Sequence, residues 1–174
     1  MDARVRDMTL DDCEAVATIR VRGWQFAYDG LIPTSYLDAM SVEMDAARRR
    51  DMLAKGDGVV TNVVAEREGE VVGWGCFGPS RGEGQPAAGV CELYALYVLP
   101  DRVSTGVGRA LMDELTGRAE ADGFERMLLW VLKENDRARR FYAKAGFAPD
   151  GVEEPFEVEG VAVPEVRYAR RLKG

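Results

Sequence analysis

The stretch from Glu92 to Phe147 constrains this chain more than any other part of it. A hydrophobic run, Glu92-Leu-Tyr-Ala-Leu-Tyr-Val-Leu-Pro100, leads into Asp-Arg-Val-Ser-Thr-Gly-Val-Gly-Arg-Ala-Leu-Met112. The first part reads as a strand and the last as the opening of an amphipathic helix, with Gly106 and Gly108 at the junction. Such a turn aims several backbone N–H groups and the positive end of a helix at one spot, which holds a pyrophosphate with few charges. About a helix and a strand later, Asn135-Asp-Arg-Ala-Arg-Arg-Phe-Tyr-Ala-Lys-Ala-Gly-Phe147 begins a second helix that carries Phe141 and Tyr142. An anion cradle with an asparagine and a tyrosine on adjacent elements points to a cofactor site rather than a plain core.

Other classes are set aside by composition. With 174 residues, a single domain spanning 1–174 with a sizeable core is expected. No apolar run reaches the ~18 residues of a membrane span, and the first residues lack a signal-peptide core, so no membrane partner is expected. Cys13, Cys76 and Cys91 are odd in number and far apart, which fits a reducing cytoplasm better than a disulfide framework. The chain has no histidine, which removes His-based triads and His-ligated zinc; no metal is expected. A net charge of −7 argues against nucleic acid as a partner. It leans toward a cationic substrate, with plain solubility as the simpler explanation.

Along the chain, residues 3–8 read as a short strand. Thr9 with Asp12 is a capping-box-like start for a helix striped by Cys13, Val16, Ala17 and Ile19 and closing near Gly23. A loop or broken helix with Trp24, Phe26, Tyr28 and Tyr36 follows. Residues 42–54 read as a helix with Arg48, Arg49 and Arg50 in solvent. Residues 59–67 and 71–77 form two strands joined at Glu68-Gly69, residues 78–89 a Gly/Pro loop, and residues 90–98 a strand. Val107, Ala110, Leu111, Leu115 and Ala119 stripe a helix that Gly123 closes. Met127 to Leu132 is a buried strand, and Ala138, Phe141, Tyr142 and Ala145 stripe the next helix. Two strands complete the tail. The order β-α-α-β-β-β-α-β-α-β-β predicts an α/β fold with a mixed, partly antiparallel sheet.

Two familiar phosphate motifs fail. A P-loop needs Gly-Lys-Ser/Thr, and Gly108 is followed by Arg109-Ala110. The dinucleotide fingerprint needs a glycine where Leu111 stands. The segment Pro100-x-x-Val103-x-x-Gly106-x-Gly108 instead resembles the acyl-CoA-binding motif of the GNAT superfamily of N-acetyltransferases. Asn135-x-x-Ala138-x-x-Phe141-Tyr142-x-x-x-Gly146-Phe147 resembles its second motif, in the family's order and spacing. Gly23-Trp24-x-x-Ala27-Tyr28-x-Gly30-Leu31-Ile32-Pro33 is similar to a common bacterial subgroup. Val103 departs from the family, which has Gln or Arg there; Ser104 and Thr105 offer hydroxyl donors in compensation.

The resemblance implies acetyl-CoA, or coenzyme A, bound between the strand ending at Val98 and the strand starting near Met127. Leu96, Tyr97 and Val98 would pair with the pantetheine arm through main-chain bonds. Residues Val103, Ser104, Thr105, Gly106, Val107, Gly108 and Arg109 would wrap the pyrophosphate. Asn135, Ala138 and Phe141 would line the cofactor, with Arg137, Arg140 and Lys144 either near the nucleotide's phosphate or on a solvated face. Asn135 would also cap its helix.

The acetyl group would pass directly to a primary amine, without an acyl-enzyme. Tyr142 is the implied proton donor to the departing sulfur. Glu92 is the candidate base, a carboxylate in an apolar strand whose pKa desolvation would raise, unless it faces solvent or pairs with a basic residue. Trp24, Tyr28 and Tyr36 would wall the acceptor, a small-molecule or peptide amine, or else pack the core. Two matters stay open: a homodimer, and a non-catalytic acyl-CoA-binding sensor or regulatory module, toward which Val103 leans.

Overall fold

The computed structural model describes residues 2–82 and 88–173. It runs β1 (Arg4–Asp7), a 3-10 turn (Leu10–Asp12), α1 (Cys13–Ala27), α2 (Thr34–Asp38), α3 (Val42–Lys55), β2 (Thr61–Arg67) and β3 (Glu70–Pro79). There follow β4 (Val90–Val98), a second 3-10 turn (Pro100–Arg102), α4 (Val107–Ala121), β5 (Arg126–Leu132), α5 (Asp136–Lys144), β6 (Ala148–Val158) and β7 (Val161–Arg171). The strands form one sheet in the order β1-β2-β3-β4-β5-β7-β6. Only β4 and β5 pair in parallel; every other neighbouring pair is antiparallel. The mixed α/β sheet is as expected, with one more helix than the sequence order allows. No helix among the described residues is long and apolar enough to cross a membrane.

The differences from sequence have local causes. Gly23 does not stop α1, because the helix is held by tertiary contact: a Cβ there would stand 3.1 Å from Tyr97 Cδ1. The apolar stripe simply continues, with the Trp24 ring edge-on to Tyr28 at 4.9 Å. Tyr36 lies in the extra helix α2. Gly78 and Pro79 are the last residues of β3, paired with Glu92 and Cys91, so the loop begins later than read. Part of that loop, residues 83–87, lies outside the described residues. Arg49 is not in solvent: its side chain is 15% exposed and its guanidinium lies over the Trp74 ring at 4.9 Å. The Glu68-Gly69 turn has φ of 55° and 80°, the two left-handed residues of a tight hairpin. Asp12 is buried and takes Arg6 in a fork at 2.8 and 2.9 Å, and its carboxylate also accepts the Thr9 N–H at 2.7 Å, tying α1 to β1.

β3 explains how the helices divide between the faces of the sheet. Gly73 and Gly75 point one way and Trp74 and Cys76 the other. A Cβ at Gly73 would meet Val107 Cγ1 and Leu111 Cδ1, both at 2.9 Å, and one at Gly75 would meet Leu115 Cδ1 at 2.7 Å. α4 therefore rests on bare backbone. On the opposite face Trp74 stacks beside Tyr97 at 6.3 Å and under Arg49 of α3, and Tyr97 packs against Gly23 of α1. The largest apolar cluster joins residues of both faces, from Val16 and Ile19 through Trp74 and Phe77 to Leu111, Leu115 and Leu129.

One feature of the sheet positions everything that follows. β4 and β5 pair over three residues only, Val90–Glu92 against Arg126–Leu128. Beyond them β4 bonds only β3 and β5 only β7. The register against β3 slips between Cys76 and Phe77, leaving Tyr94 as the extra residue of a bulge that bends β4 away.

Candidate active site

The parting of β4 and β5 leaves two open strand edges, and a cavity of about 980 Å³ lies between them. Its walls include Glu92 to Tyr97 of β4 except Leu96, and Trp130, Val131 and Leu132 of β5. Leu96, Tyr97 and Val98 sit half-buried on the open stretch of β4.

At the end of that strand the chain turns through Pro100–Arg102 into α4. Ser104 has φ 63° and Gly106 φ 93°; Gly106 is the N-cap residue and offers no side chain to the helix. The Ala110 N–H bonds to the Gly106 carbonyl, so the N–H groups of Val107, Gly108 and Arg109 precede the first helical bond and face outward from the helix end. A Cβ at Gly108 would stand 3.2 Å from Phe141 Cε1, so the missing side chain lets α5 close on the start of α4. Arg109 is exposed and Val103 half-buried.

The hydroxyls of the turn are arranged differently from expectation. Thr105 Oγ1 donates to the Arg102 carbonyl and accepts from Arg67 Nη1 at 3.0 Å, so its one proton is turned inward and it is no donor to a phosphate. Ser104 Oγ accepts from Arg137 Nη2 at 3.0 Å and keeps its own proton. Arg67, which also donates to the Thr105 carbonyl at 3.1 Å, was not foreseen; an arginine at a strand's end carries no motif. Arg137 lies over Phe26 at 5.5 Å and bridges toward the turn, while Arg140 and Lys144 are exposed. Asn135 Oδ1 accepts the Ala138 N–H at 3.2 Å and so caps α5; both residues are half-buried.

The Tyr28 and Tyr97 phenols line the cavity; Tyr142 does not line it but lies near enough to Tyr97 to feel its charge. Tyr28 and Tyr97 exchange a hydrogen bond at 3.1 Å. Tyr142, wedged between Phe141 (5.4 Å) and Phe147 (6.1 Å), makes no side-chain hydrogen bond among the described residues. Burial, and secondarily the Tyr97 phenol, push the Tyr142 hydroxyl above its ordinary range, so it is a neutral donor at physiological pH.

The carboxylates correct the expectation for Glu92. It is 2% exposed but not isolated: Oε1 accepts the Arg81 N–H at 2.8 Å and Oε2 accepts Arg81 Nη2 at 2.9 Å. Arg81 in turn lies over the Tyr94 ring at 4.0 Å. Glu165 on β7 lines the same cavity, is half-buried, and has no ion-pair partner among the described residues. Desolvation raises its pKa, as does Glu154 directly opposite on β6, while Arg81 counters them. Sequence gave little hint of Glu165, because only strand register brings it across from Leu132.

Trp24 and Tyr28 line the cavity; Tyr36 does not, and supports Trp24 from behind at 6.2 Å. Four arginines also line it: Arg20, Arg48, Arg49 and Arg81. The acidic balance of the whole chain is thus not the local balance here. Cys76 reaches the wall, but burial pushes its thiol up to about 12, which leaves no thiolate to attack an acyl group.

The sequence model of the acetyltransferase (GNAT) family matches residues 24–147. An uncharacterized N-acetyltransferase of Bacillus subtilis, YuaI, is 32% identical over 163 residues, 93% of this chain and 89% of its own length. The phosphinothricin acetyltransferase of Sinorhizobium meliloti, solved with acetyl-CoA, superposes with a TM-score of 0.75 at 24% identity, covering 99% of this chain and 89% of that one. The PaiA N-acetyltransferase of Thermoplasma acidophilum, solved with coenzyme A, gives 0.74 at 16% identity over 98% and 99%.

Proposed function

Since the chain belongs to the GNAT acetyltransferase family and is an N-acetyltransferase, we propose that, as one domain spanning its 174 residues, it moves an acetyl group from acetyl-CoA to a primary amine by direct attack in a ternary complex. The observation that carries this reading is the opening of β4 from β5 beside the uncapped start of α4. The residues present fit the cosubstrate. Backbone groups of Leu96, Tyr97 and Val98 are free to take an extended amide chain as a further strand. Gly106, Val107, Gly108 and Arg109 offer N–H groups and the helix dipole to a pyrophosphate, with Arg137 and the Ser104 proton alongside. The Val103 side chain adds no donor. Asn135, Ala138 and Phe141 hold α5 against that turn, more as support than as ligands.

Acetyl-CoA supplies the activated acyl group when bound. The protein's part is to position the amine, accept its proton and assist the departing sulfur. Tyr142 is the donor to the sulfur, because its hydroxyl is neutral and makes no side-chain hydrogen bond among the described residues. Glu165 is the better proton acceptor, being without an ion-pair partner among the described residues and raised in pKa by desolvation. Glu92, held by Arg81, orients that arginine and bears on Glu165 through its charge. Trp24 and Tyr28 wall the amine. The buried, unpaired cysteines fit a reducing cytoplasm.

Calorimetry with acetyl-CoA, followed by release of free CoA against a panel of amines, tests this reading. Binding with turnover is expected. Absence of binding at millimolar acetyl-CoA overturns it, and tight binding with no turnover on any amine supports an acyl-CoA sensor instead.

A further inference from the structure

The turn that carries the anion cradle is braced from outside itself. Arg67, the last residue of β2, donates through Nη1 to Thr105 Oγ1 at 3.0 Å and through Nη2 to the Thr105 carbonyl at 3.1 Å. Its Nε is enclosed with no partner among the described residues, so Thr105 is what the guanidinium holds. The neighbouring carboxylates are engaged elsewhere: Glu66 accepts from Arg6 at 2.8 Å, and Glu70 lies 3.4 Å from Arg102 Nη2. Arg67 and Glu70 stand opposite each other at the tip of the β2–β3 hairpin. The hairpin tip therefore grips this stretch of chain twice, at Arg102 and at Thr105, and the Thr105 hydroxyl joins the two grips by donating to the Arg102 carbonyl.

The grip at Thr105 fixes a direction. The peptide joining Thr105 to Gly106 is trans, and in a trans peptide the carbonyl and the following N–H point to opposite sides. With the Thr105 carbonyl held toward Arg67, the Gly106 N–H points away from it, and that N–H makes no hydrogen bond among the described residues. It stands next in the chain to the outward N–H groups of Val107, Gly108 and Arg109. The residues on either side of Thr105 are left-handed, and Ser104, at φ 63°, keeps that conformation only where something holds it. The Val103 side chain has no donor with which to do so. Arg137 bonds the Ser104 hydroxyl, but among the described residues Arg67 is the one side chain from outside residues 103–106 that bonds their main chain.

We propose that Arg67 is a positioning residue for the acyl donor: by turning the Thr105–Gly106 peptide it adds the Gly106 N–H to the groups that meet the pyrophosphate. The proposal rests on the acyl-CoA reading above and deepens it, placing part of the cradle's shape on a strand outside the phosphate-binding turn. The hairpin is a firm anchor, since its Glu68-Gly69 turn is tight and β2 is paired on both sides, with β1 and β3. An arginine suits the task because its planar fork makes two bonds at a fixed spacing, which holds a peptide plane that a single donor leaves free to rotate.

The test titrates wild type, Arg67→Met and Arg67→Lys with acetyl-CoA and with S-acetylpantetheine, which has the same thioester arm and no pyrophosphate. Fluorescence of Trp24 and Trp130 in the cavity wall reports binding. Losing one bond to a charged phosphate raises Kd about tenfold. Arg67→Met should show that loss for acetyl-CoA and none for S-acetylpantetheine, and Arg67→Lys, with one ammonium in place of the fork, should recover part of it. The ratio of variant to wild-type Kd should stay constant from low to high salt, because a brace acts through geometry, whereas a charge acting through space is screened. A ratio that collapses in high salt, an unchanged Kd for acetyl-CoA, or equal losses for both donors overturns the brace while the cofactor reading stands. Wild type that binds no acetyl-CoA overturns both. If Arg67→Met folds poorly, Thr105→Val, on the exposed turn, removes the Nη1 contact and should give the same split at about threefold; no change for acetyl-CoA there overturns the proposal as well.

Discussion

Gly73→Ala and Gly75→Ala together test whether the anion cradle depends on how deeply α4 sits on the sheet. In Gly73→Ala the new methyl would stand 2.9 Å from Val107 Cγ1 and Leu111 Cδ1. Carbon atoms prefer roughly 3.5–4.0 Å, so the helix start must back off by about 0.6–1 Å. Val107 is fully buried, and a β-branched side chain has no alternative rotamer to retreat into, so the backbone has to move. The cost is that of overpacking, about 2 kcal/mol, or roughly 6 °C in Tm for a chain of this size. Val107 is also the first residue of α4, and its N–H belongs to the cradle. A displacement of that size takes a ~2.9 Å hydrogen bond out of bonding range. Losing one bond to a charged group raises the Kd for CoA by about tenfold. In Gly75→Ala the methyl meets Leu115 Cδ1 at 2.7 Å, the tip of a flexible side chain about 12 Å further along the helix. It should lose comparable stability with its CoA affinity changed by less than about twofold. Thermal melts and calorimetry with CoA separate the two. Wild-type CoA affinity in Gly73→Ala, or equal losses in both variants, would refute the reasoning.

Tyr142→Phe should lower kcat by about 10²-fold with the CoA Kd unchanged, since general-acid assistance is worth roughly that much; an unchanged kcat across pH removes Tyr142 from the mechanism. Glu165 has a raised folded-state pKa. Its ionised form is therefore disfavoured by folding, and wild-type stability should decline as pH rises through the window above the ordinary carboxylate value. Glu165→Gln should accordingly melt higher than wild type at neutral pH, with the gap closing toward acid, yet lose kcat; a less stable variant at neutral pH contradicts the desolvation account. Cys76→Ala should keep kcat within about twofold despite lining the cavity, because its thiol is pushed up to about 12; trapping of an acetylated Cys76 by mass spectrometry would reverse that conclusion.

What sequence showed of this fold was whatever a local pattern can encode. The strand ending at Val98, the Gly106 turn and the Asn135 cap are each written in consecutive residues, and the mixed sheet followed from their order. What escaped was set by contacts between distant residues. Gly23 reads as a helix stop until the Tyr97 ring is seen against it. Glu92 reads as an isolated carboxylate, but the antiparallel register that sets Gly78 opposite it brings Arg81 within reach. Arg49 looks like the middle of a solvated Arg-Arg-Arg run, and only the Trp74 ring on β3 shows that one of the three is enclosed. Glu165 differs from the other acidic residues of the tail through its burial in the cavity wall, which only its strand register sets.

The three-residue contact between β4 and β5 makes the sheet incomplete by design. Exposed strand edges invite pairing with other chains. A cosubstrate whose amide arm fills the gap removes that hazard and adds stability by mass action, about 2.7 kcal/mol at a hundredfold excess over Kd. The enzyme's resistance to unfolding then rises with the concentration of acyl-CoA around it. A fall in that concentration lowers the stability of the catalyst as well as its rate.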